Sequence, residues 1–105
     1  MSGNQNTINA LIELGKFLSQ FSRKGILKKD DILYNELFFD GFKHQIKIAQ
    51  ENNSWFTKDN ILHAFESWSN SLILSNFNHW LSKYNFKDIE PKKIAIIMAG
   101  NIPLV

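Results

Sequence analysis

The sequence predicts a mainly α-helical fold of about four amphipathic helices followed by one C-terminal β-strand. Two observations support this prediction. Between residues 6 and 85, apolar side chains recur at intervals of three and four residues, which is the period of one helix face. From Lys93 to Ala99 the apolar residues are almost continuous and rich in isoleucine, which is typical of a strand buried on both faces. The 105 residues have the length of one domain, so a two-lobed cofactor-dependent enzyme is excluded.

The composition is that of a folded globular chain, with 44% hydrophobic and 21% charged residues. A net charge of +2 is too small to demand a nucleic-acid partner. The chain has no cysteine, which excludes disulfides and thiolate chemistry within it and makes the cytoplasm the expected location. No apolar run approaches the roughly 20 residues that a membrane-spanning helix needs, so we expect no membrane span.

The first helix is predicted from Asn6 or Thr7 to about Ser22. Either residue at its start offers a side-chain oxygen to the free backbone amides of the first turn. At the other end, the Arg23–Gly25 sequence places two cations and a flexible glycine where helix ends favour them. The apolar face consists of Ile8, Leu11, Ile12, Leu14, Phe17, Leu18 and Phe21.

A second helix follows a short connector, and Asp30, Asp31 and Asn35 are equally good candidates for its N-cap. This helix is predicted to fade at the Asn52–Asn53 pair. Gly41 lies inside it and costs about 1 kcal/mol relative to alanine, so a kink or a break is expected there. The apolar face consists of Leu37, Phe38, Phe42, Ile46 and Ala49.

Thr57 marks the clearest helix start in the sequence. It is a favoured N-cap residue, and Phe56 and Ile61 stand at the two positions of a hydrophobic staple. This third helix is predicted to end near Ser71. A fourth, shorter helix is predicted over residues 75–85, with an apolar face of Phe77, Trp80, Leu81 and Tyr84.

The C-terminal strand predicts that the sequence belongs to a longer α/β protein. A single strand cannot satisfy its own backbone hydrogen bonds, and no other segment has clear strand character. We therefore expect residues 1–90 to form a helical N-terminal segment and residues 91–105 to form the first strand and turn of a truncated α/β domain. An unpaired apolar strand also favours self-association or a disordered C-terminus.

Two segments resemble a known family. Asn53-Ser54-Trp55-Phe56-Thr57 is similar to an aromatic N-P-W-F-T element that precedes a helix. The fifteen residues from Pro91 to Val105 (PKKIAIIMAGNIPLV) resemble the block P-K-x-[VI]-[GA]-I-[IV]-M-A-G-N-[IV]-P-L-V. The aromatic element and the fifteen-residue block are features of the acyl-CoA reductases typified by the LuxC-like fatty-acid reductase of bacterial bioluminescence. These enzymes lie within the aldehyde dehydrogenase superfamily.

The resemblance implies an NADPH-dependent reduction of a fatty acyl-CoA to an aldehyde, through a thioester on a cysteine beyond Val105. It places the strand in a nucleotide-binding domain, with the backbone of Ile97, Met98, Ala99 and Gly100 beside the nicotinamide. It also makes Asn101 the catalytic donor to the substrate oxygen. A fixed amide donor stabilises a developing oxyanion by about 3 to 4 kcal/mol. The isolated 105 residues would be inactive.

Each of these residues also has a purely structural interpretation. Gly100-Asn101-Ile102-Pro103 is an ordinary turn sequence. The histidines lack partners at metal-ligand spacing, so no metal site is predicted, and Glu13 and Glu66 are expected to be solvated. The three tryptophans are expected in the core. The basic concentration from Arg23 to Lys29 is explained by a solvated helix end, with phosphate or coenzyme A contact as the alternative. The histidines are His44, His63 and His79, and the tryptophans are Trp55, Trp68 and Trp80.

Two other functions compete with the reductase. A small helical interaction module could bind a partner protein through its aromatic stripes and add its final strand to the partner's sheet. Nucleic-acid binding through the basic residues between Arg23 and Lys29 has the least support, because the charge surplus is small.

Overall fold

The structure, a computed structural model, describes residues 2–86 and 90–97. Within these ranges the chain forms four helices and one short hairpin, so the prediction of a mainly α-helical fold with about four helices is confirmed. The elements are α1 (Ser2–Leu18), β1 (Phe21–Ser22), β2 (Gly25–Ile26), α2 (Asn35–Asn52), α3 (Lys58–Ser71) and α4 (Leu74–Leu81).

Helix α1 begins and ends earlier than predicted, so neither Asn6 nor Thr7 is its N-cap. At its C-terminal end, the Ser19 hydroxyl donates to the carbonyl oxygen of Lys16 at 2.6 Å, and the chain then leaves the helical path. The next residues form the antiparallel β1–β2 hairpin, in which Phe21 pairs with Ile26. Gly25 adopts a φ of 147°, which side chains disfavour, and so allows the chain to return.

The core is centred on Phe21, whose exposed fraction is 0%. Its ring stacks on Phe39 at a centroid distance of 5.2 Å and meets Phe42 edge-on at 5.0 Å. Helix α1 lies close against the C-terminal end of α3 at Gly15, where a Cβ atom would lie 2.8 Å from the carbonyl oxygen of Leu72, the residue that follows α3. The hairpin therefore delivers one aromatic side chain to the place where α1, α2 and α3 meet.

Helix α2 has no side-chain cap, so the expectation of a cap from Asp30, Asp31 or Asn35 is wrong. The N-cap residue is Tyr34, in a left-handed conformation with φ 69°. Asn35 is unavailable as a cap because its amide points inward and is hydrogen-bonded to Gln20. The helix continues through residue 41 without the expected break.

Helix α3 matches its prediction. The Thr57 hydroxyl oxygen accepts a hydrogen bond from the backbone N–H of Asn60 at 3.1 Å, and the helix ends at Ser71. Helix α4 begins one residue before the predicted start but ends at Leu81, four residues earlier than expected. Both predicted ends of α3 are therefore correct, and the Thr57 side-chain cap fixes its first turn.

The predicted strand does not form over residues 93–97, where the chain has no regular secondary structure. A strand exists only when a neighbouring strand accepts and donates its hydrogen bonds, and the sole sheet of the described residues is the β1–β2 hairpin. The rest of the predicted strand, Met98 and Ala99, lies outside the described residues. The division of the chain at residue 90 stays a prediction.

Candidate functional site

The C-terminal apolar segment (residues 93–97) holds the only predicted site residue that the structure describes. Ile97 is 100% exposed, and Ile94 and Ile96 are 82% and 75% exposed. The other predicted site residues, Met98, Ala99, Gly100 and Asn101, lie outside the described residues. The structure therefore gives no geometry for an oxyanion donor or a nicotinamide pocket, and the roles of these residues stay predictions.

A second apolar surface lies between α1 and α2 and was missed by sequence reasoning. We call it the α1/α2 groove, a depression of about 760 Å³. Its floor is formed by the rings of Phe17 and Phe42, whose centroids are 5.3 Å apart. At its rim Leu37 is 73% exposed. The remaining apolar side chains of the groove are Ala10, Leu14, Leu33, Tyr34 and Phe38.

The sequence assigned part of this surface to the core. Leu37 and Phe38 belong to the predicted apolar face of α2, yet both are exposed, whereas Phe39 is buried. The buried face of α2 differs from the predicted one because Phe39 stacks on Phe21. These residues are 18 positions apart, so no local sequence pattern reveals their contact. Two adjacent phenylalanines at positions 38 and 39 left the sequence pattern ambiguous about which one faces inward.

The tryptophans are also placed differently from the prediction. Trp55, Trp80 and Trp68 are 66%, 60% and 37% exposed, so none of them is in the core. Trp80 instead meets Tyr84 edge-on at a centroid distance of 6.3 Å. Phenylalanines together with leucines and one isoleucine fill the core, and the larger indole rings lie at the surface.

The most buried polar side chains form a pair that sequence reasoning missed. The amide nitrogen of Gln20 donates to Asn35 Oδ1 at 2.8 Å, and the amide nitrogen of Asn35 donates to Gln20 Oε1 at 2.7 Å. Both amides also bond to the connector, because Gln20 Oε1 accepts from the backbone N–H of Lys29 and Asn35 donates to the carbonyl of Lys29. Carboxamides do not titrate, so this pair fixes the connector and offers no acid or base.

The two glutamates singled out from the sequence are both ion-paired and half-buried. Glu13 accepts from Lys16 at 3.0 Å within α1, and Glu66 accepts from Arg23 Nε at 3.2 Å. The side-chain hydrogen bond from Arg23 holds the pKa of Glu66 below its ordinary value of 4.5. A carboxyl with a lowered pKa is ionised at neutral pH, so Glu66 links the hairpin to α3 and is a poor general acid.

The basic residues between Arg23 and Lys29 do not converge on one point. Arg23 bonds to Glu66, the ammonium group of Lys28 lies 5.7 Å from the ring centroid of Phe39, and Lys29 bonds to the hydroxyl of Ser19. The three histidines are exposed. Over the described ranges, no group of three or more histidines and carboxylates could hold a metal ion.

A different set of cations lines a depression beside α2, which we call the cationic cavity. Its volume is about 470 Å³. It contains Lys43, His44 and Lys47 of α2 and Lys58, the first residue of α3. Spacing along the sequence does not reveal this cluster of cations, because the turn before α3 is what brings Lys58 next to the α2 residues.

No helix in the described part of the chain is both long and apolar enough to cross a membrane. Comparison with protein-family models, with curated proteins and with solved structures finds no match to this chain.

Proposed function

We propose that the chain is the helical N-terminal part of an NADPH-dependent acyl-CoA reductase that forms a fatty aldehyde. In this role the C-terminal apolar segment joins the parallel sheet of a nucleotide-binding domain. The observation that supports the proposal is the exposure of Ile94, Ile96 and Ile97 in the stretch that resembles the family's P-K-x-[VI]-[GA]-I-[IV]-M-A-G-N-[IV]-P-L-V block. Exposing such a run to water is unfavourable by about 25 cal/mol per Å² of apolar surface. Burial of these side chains in a sheet of the proposed nucleotide-binding domain would therefore be favourable.

Asn101 is the only residue of this chain to which the proposal assigns a chemical role. NADPH supplies the hydride in such a reaction, and Asn101 is the proposed donor to the substrate oxygen as negative charge develops on it. Of the proposed cofactor residues only Ile97 is described, and its side chain is fully exposed. The chain has no cysteine to carry the acyl group and is therefore expected to be inactive alone.

The reading frame beyond the codon for Val105 tests this proposal first. A frame that continues with Gly-Phe-His-Asp and later encodes a cysteine supports the reductase. A stop codon directly after Val105 contradicts it.

Substitution of Asn101 in the protein encoded by such a frame then tests the proposed donor. Asn101→Ala should lower kcat by about 10² to 10³ with little change in KM, because the bond strengthens mainly in the transition state. Asn101→Asp should be worse, because it sets a negative charge against the developing oxyanion. A turn-forming role predicts the opposite order, with aspartate milder than alanine and only the melting temperature lowered.

The α1/α2 groove favours a second candidate, a helical module that binds a partner protein. Its apolar floor and the exposed side chains of Leu37 and Phe38 are of the kind that receives an amphipathic helix. Leu37→Glu and Phe38→Glu separate the two candidates. A module would lose its partner through these changes, whereas proposed attachment to a parallel sheet depends on Ile94 and Ile96.

A further inference from the structure

The cationic cavity brings together basic side chains from two helices. Lys43 and Lys47 are one turn apart on α2, where their Cβ atoms lie about 5 to 6 Å from each other. Lys58 reaches the same cavity from the start of α3. The apolar lining comes from Ile26 and from Ile46, which is 4% exposed. The lysines therefore surround a depression and do not simply cover a convex helix face.

These charges have no partner within the described part of the chain. None of the three lysines forms a hydrogen bond or an ion pair there, and Asp40 is the only acid in the lining. The cavity thus carries the whole formal surplus of +2, and the remaining nine basic and nine acidic side chains of the protein balance. Lysines at i and i+4 repel each other, so an anion between them would relieve an unfavourable contact.

A neighbouring depression provides a contrast. It lies along the connector and contains Lys28 and Lys29 together with Asp30, Asp31 and Glu36. Acids outnumber bases there, and each lysine already contacts a partner in the chain. Because neighbouring acids and contacts within the chain compensate these two lysines, an external anion would add little stabilisation there.

We propose that the cationic cavity binds the phosphate or diphosphate group of a small ligand. Lysine ammonium groups bind phosphoryl oxygens as point charges and can contact several oxygens at once. A diphosphate carries more negative charge and more acceptor oxygens than a single carboxylate, so it can bond to more of these lysines at once. The amide of Gln50 and the ring of His44 add two further polar groups at the same cavity. This site is independent of the proposed reductase function, because none of its residues lies in the two stretches that resemble that family.

Titration of the ¹⁵N-labelled 105-residue chain with inorganic pyrophosphate tests the site. We expect saturable shifts of amides around Lys43, Lys47 and Lys58, with a dissociation constant in the millimolar range or tighter. The variant K43Q/K58Q, with one change in each helix, should weaken binding about tenfold or more. The variant K24Q/K83Q loses the same charge at exposed lysines outside the cavity and should weaken binding less than about twofold.

A parallel titration with ADP distinguishes the sources of the phosphate. If pyrophosphate and ADP bind with equal affinity, the cavity recognises the diphosphate alone. If ADP binds more tightly, the apolar lining also contacts the nucleoside. Both results support the site. Shifts that do not saturate, or an equal loss of affinity in the two double variants, would overturn it, because both indicate attraction by net charge only. Unchanged amide spectra of the free variants exclude misfolding as the cause.

Discussion

The helical body (residues 2–86) and the C-terminal apolar segment (residues 93–97) contain the same kind of side chain in opposite surroundings. Ile46 of α2 is 4% exposed and packs in the cluster around Phe21, whereas Ile97 is fully exposed. The helices supply their own backbone hydrogen bonds and bring their apolar faces together through a hairpin. An extended segment must obtain its hydrogen bonds from another strand. An apolar residue of this protein is therefore buried only where a neighbouring element packs against it.

The largest difference between the two regions should appear when a side chain is removed from each. Phe21→Ala should lower the free energy of unfolding by about 3 to 5 kcal/mol, because it leaves a cavity where three helices meet. Ile97→Ala should change it by less than about 0.5 kcal/mol. Urea denaturation measures both. If the alanine variant does not fold, Phe21→Leu preserves the comparison, and similar effects at the two positions would contradict the account.

The buried amide pair should give the next largest effect. Gln20→Leu leaves both polar atoms of the Asn35 amide short of a partner and should cost about 1 to 3 kcal/mol of unfolding free energy. The double variant Gln20→Leu/Asn35→Leu should recover part of this loss, because no buried side-chain carboxamide then lacks its partner, although the bonds to the Lys29 backbone remain lost. Gln45→Leu, at the exposed rim of the α1/α2 groove, is the control. Denaturation that finds Gln20→Leu and Gln45→Leu equivalent would refute the role of the pair.

Two helical glycines should respond to alanine with opposite signs. Gly15→Ala should lower the free energy of unfolding by roughly 1 kcal/mol, because the overpacking against Leu72 exceeds the gain in helix propensity. Gly41→Ala meets nothing within 4 Å and should raise it by about 0.5 to 1 kcal/mol. Thermal unfolding of the two variants is a direct test. A stabilised Gly15→Ala variant would show that α1 and the C-terminal end of α3 do not lie as close as described.

The smallest effect concerns the ion pair between the hairpin and α3. The hydrogen bond from Arg23 lowers the pKa of Glu66, so the pair contributes stability above the ordinary carboxyl pKa of 4.5 and loses it as the pH falls through the lowered value. Arg23→Gln should raise the pKa of Glu66 toward 4.5 and remove this small pH dependence. Carboxyl-detected NMR titration of the wild type and of Arg23→Gln measures the shift. An unchanged Glu66 titration would show that the pair does not form in solution.

Much of the helical body follows from the sequence, because helices are stabilised by neighbours three and four residues away. The Thr57 cap and the end of α3 at Ser71 were predicted correctly from local residues. The hairpin was missed because strands of two residues show no periodicity. The Gln20–Asn35 pair joins residues 15 positions apart, and neither residue type signals a buried partner.

The candidate sites were harder to predict for the same reason. Residues 93–97 form no strand in the structure because residue type alone cannot supply a partner strand, so the pairing of this segment with a sheet stays a prediction. The tryptophans were misplaced because their size favours burial only where the core has room for them. The cationic cavity depends on how the α2–α3 turn positions Lys58, which spacing along the chain does not reveal.

The helical body folds around Phe21, whereas the C-terminal apolar segment pairs with no strand of residues 2–86 or 90–97. Amide hydrogen exchange of the 105-residue protein, at a concentration where light scattering finds a monomer, tests this claim most directly. We expect strong protection at the centres of α2 and α3 and exchange at unprotected rates for the amides of residues 93–97. Protection of residues 93–97 comparable to that of α3 in the monomer would contradict the account.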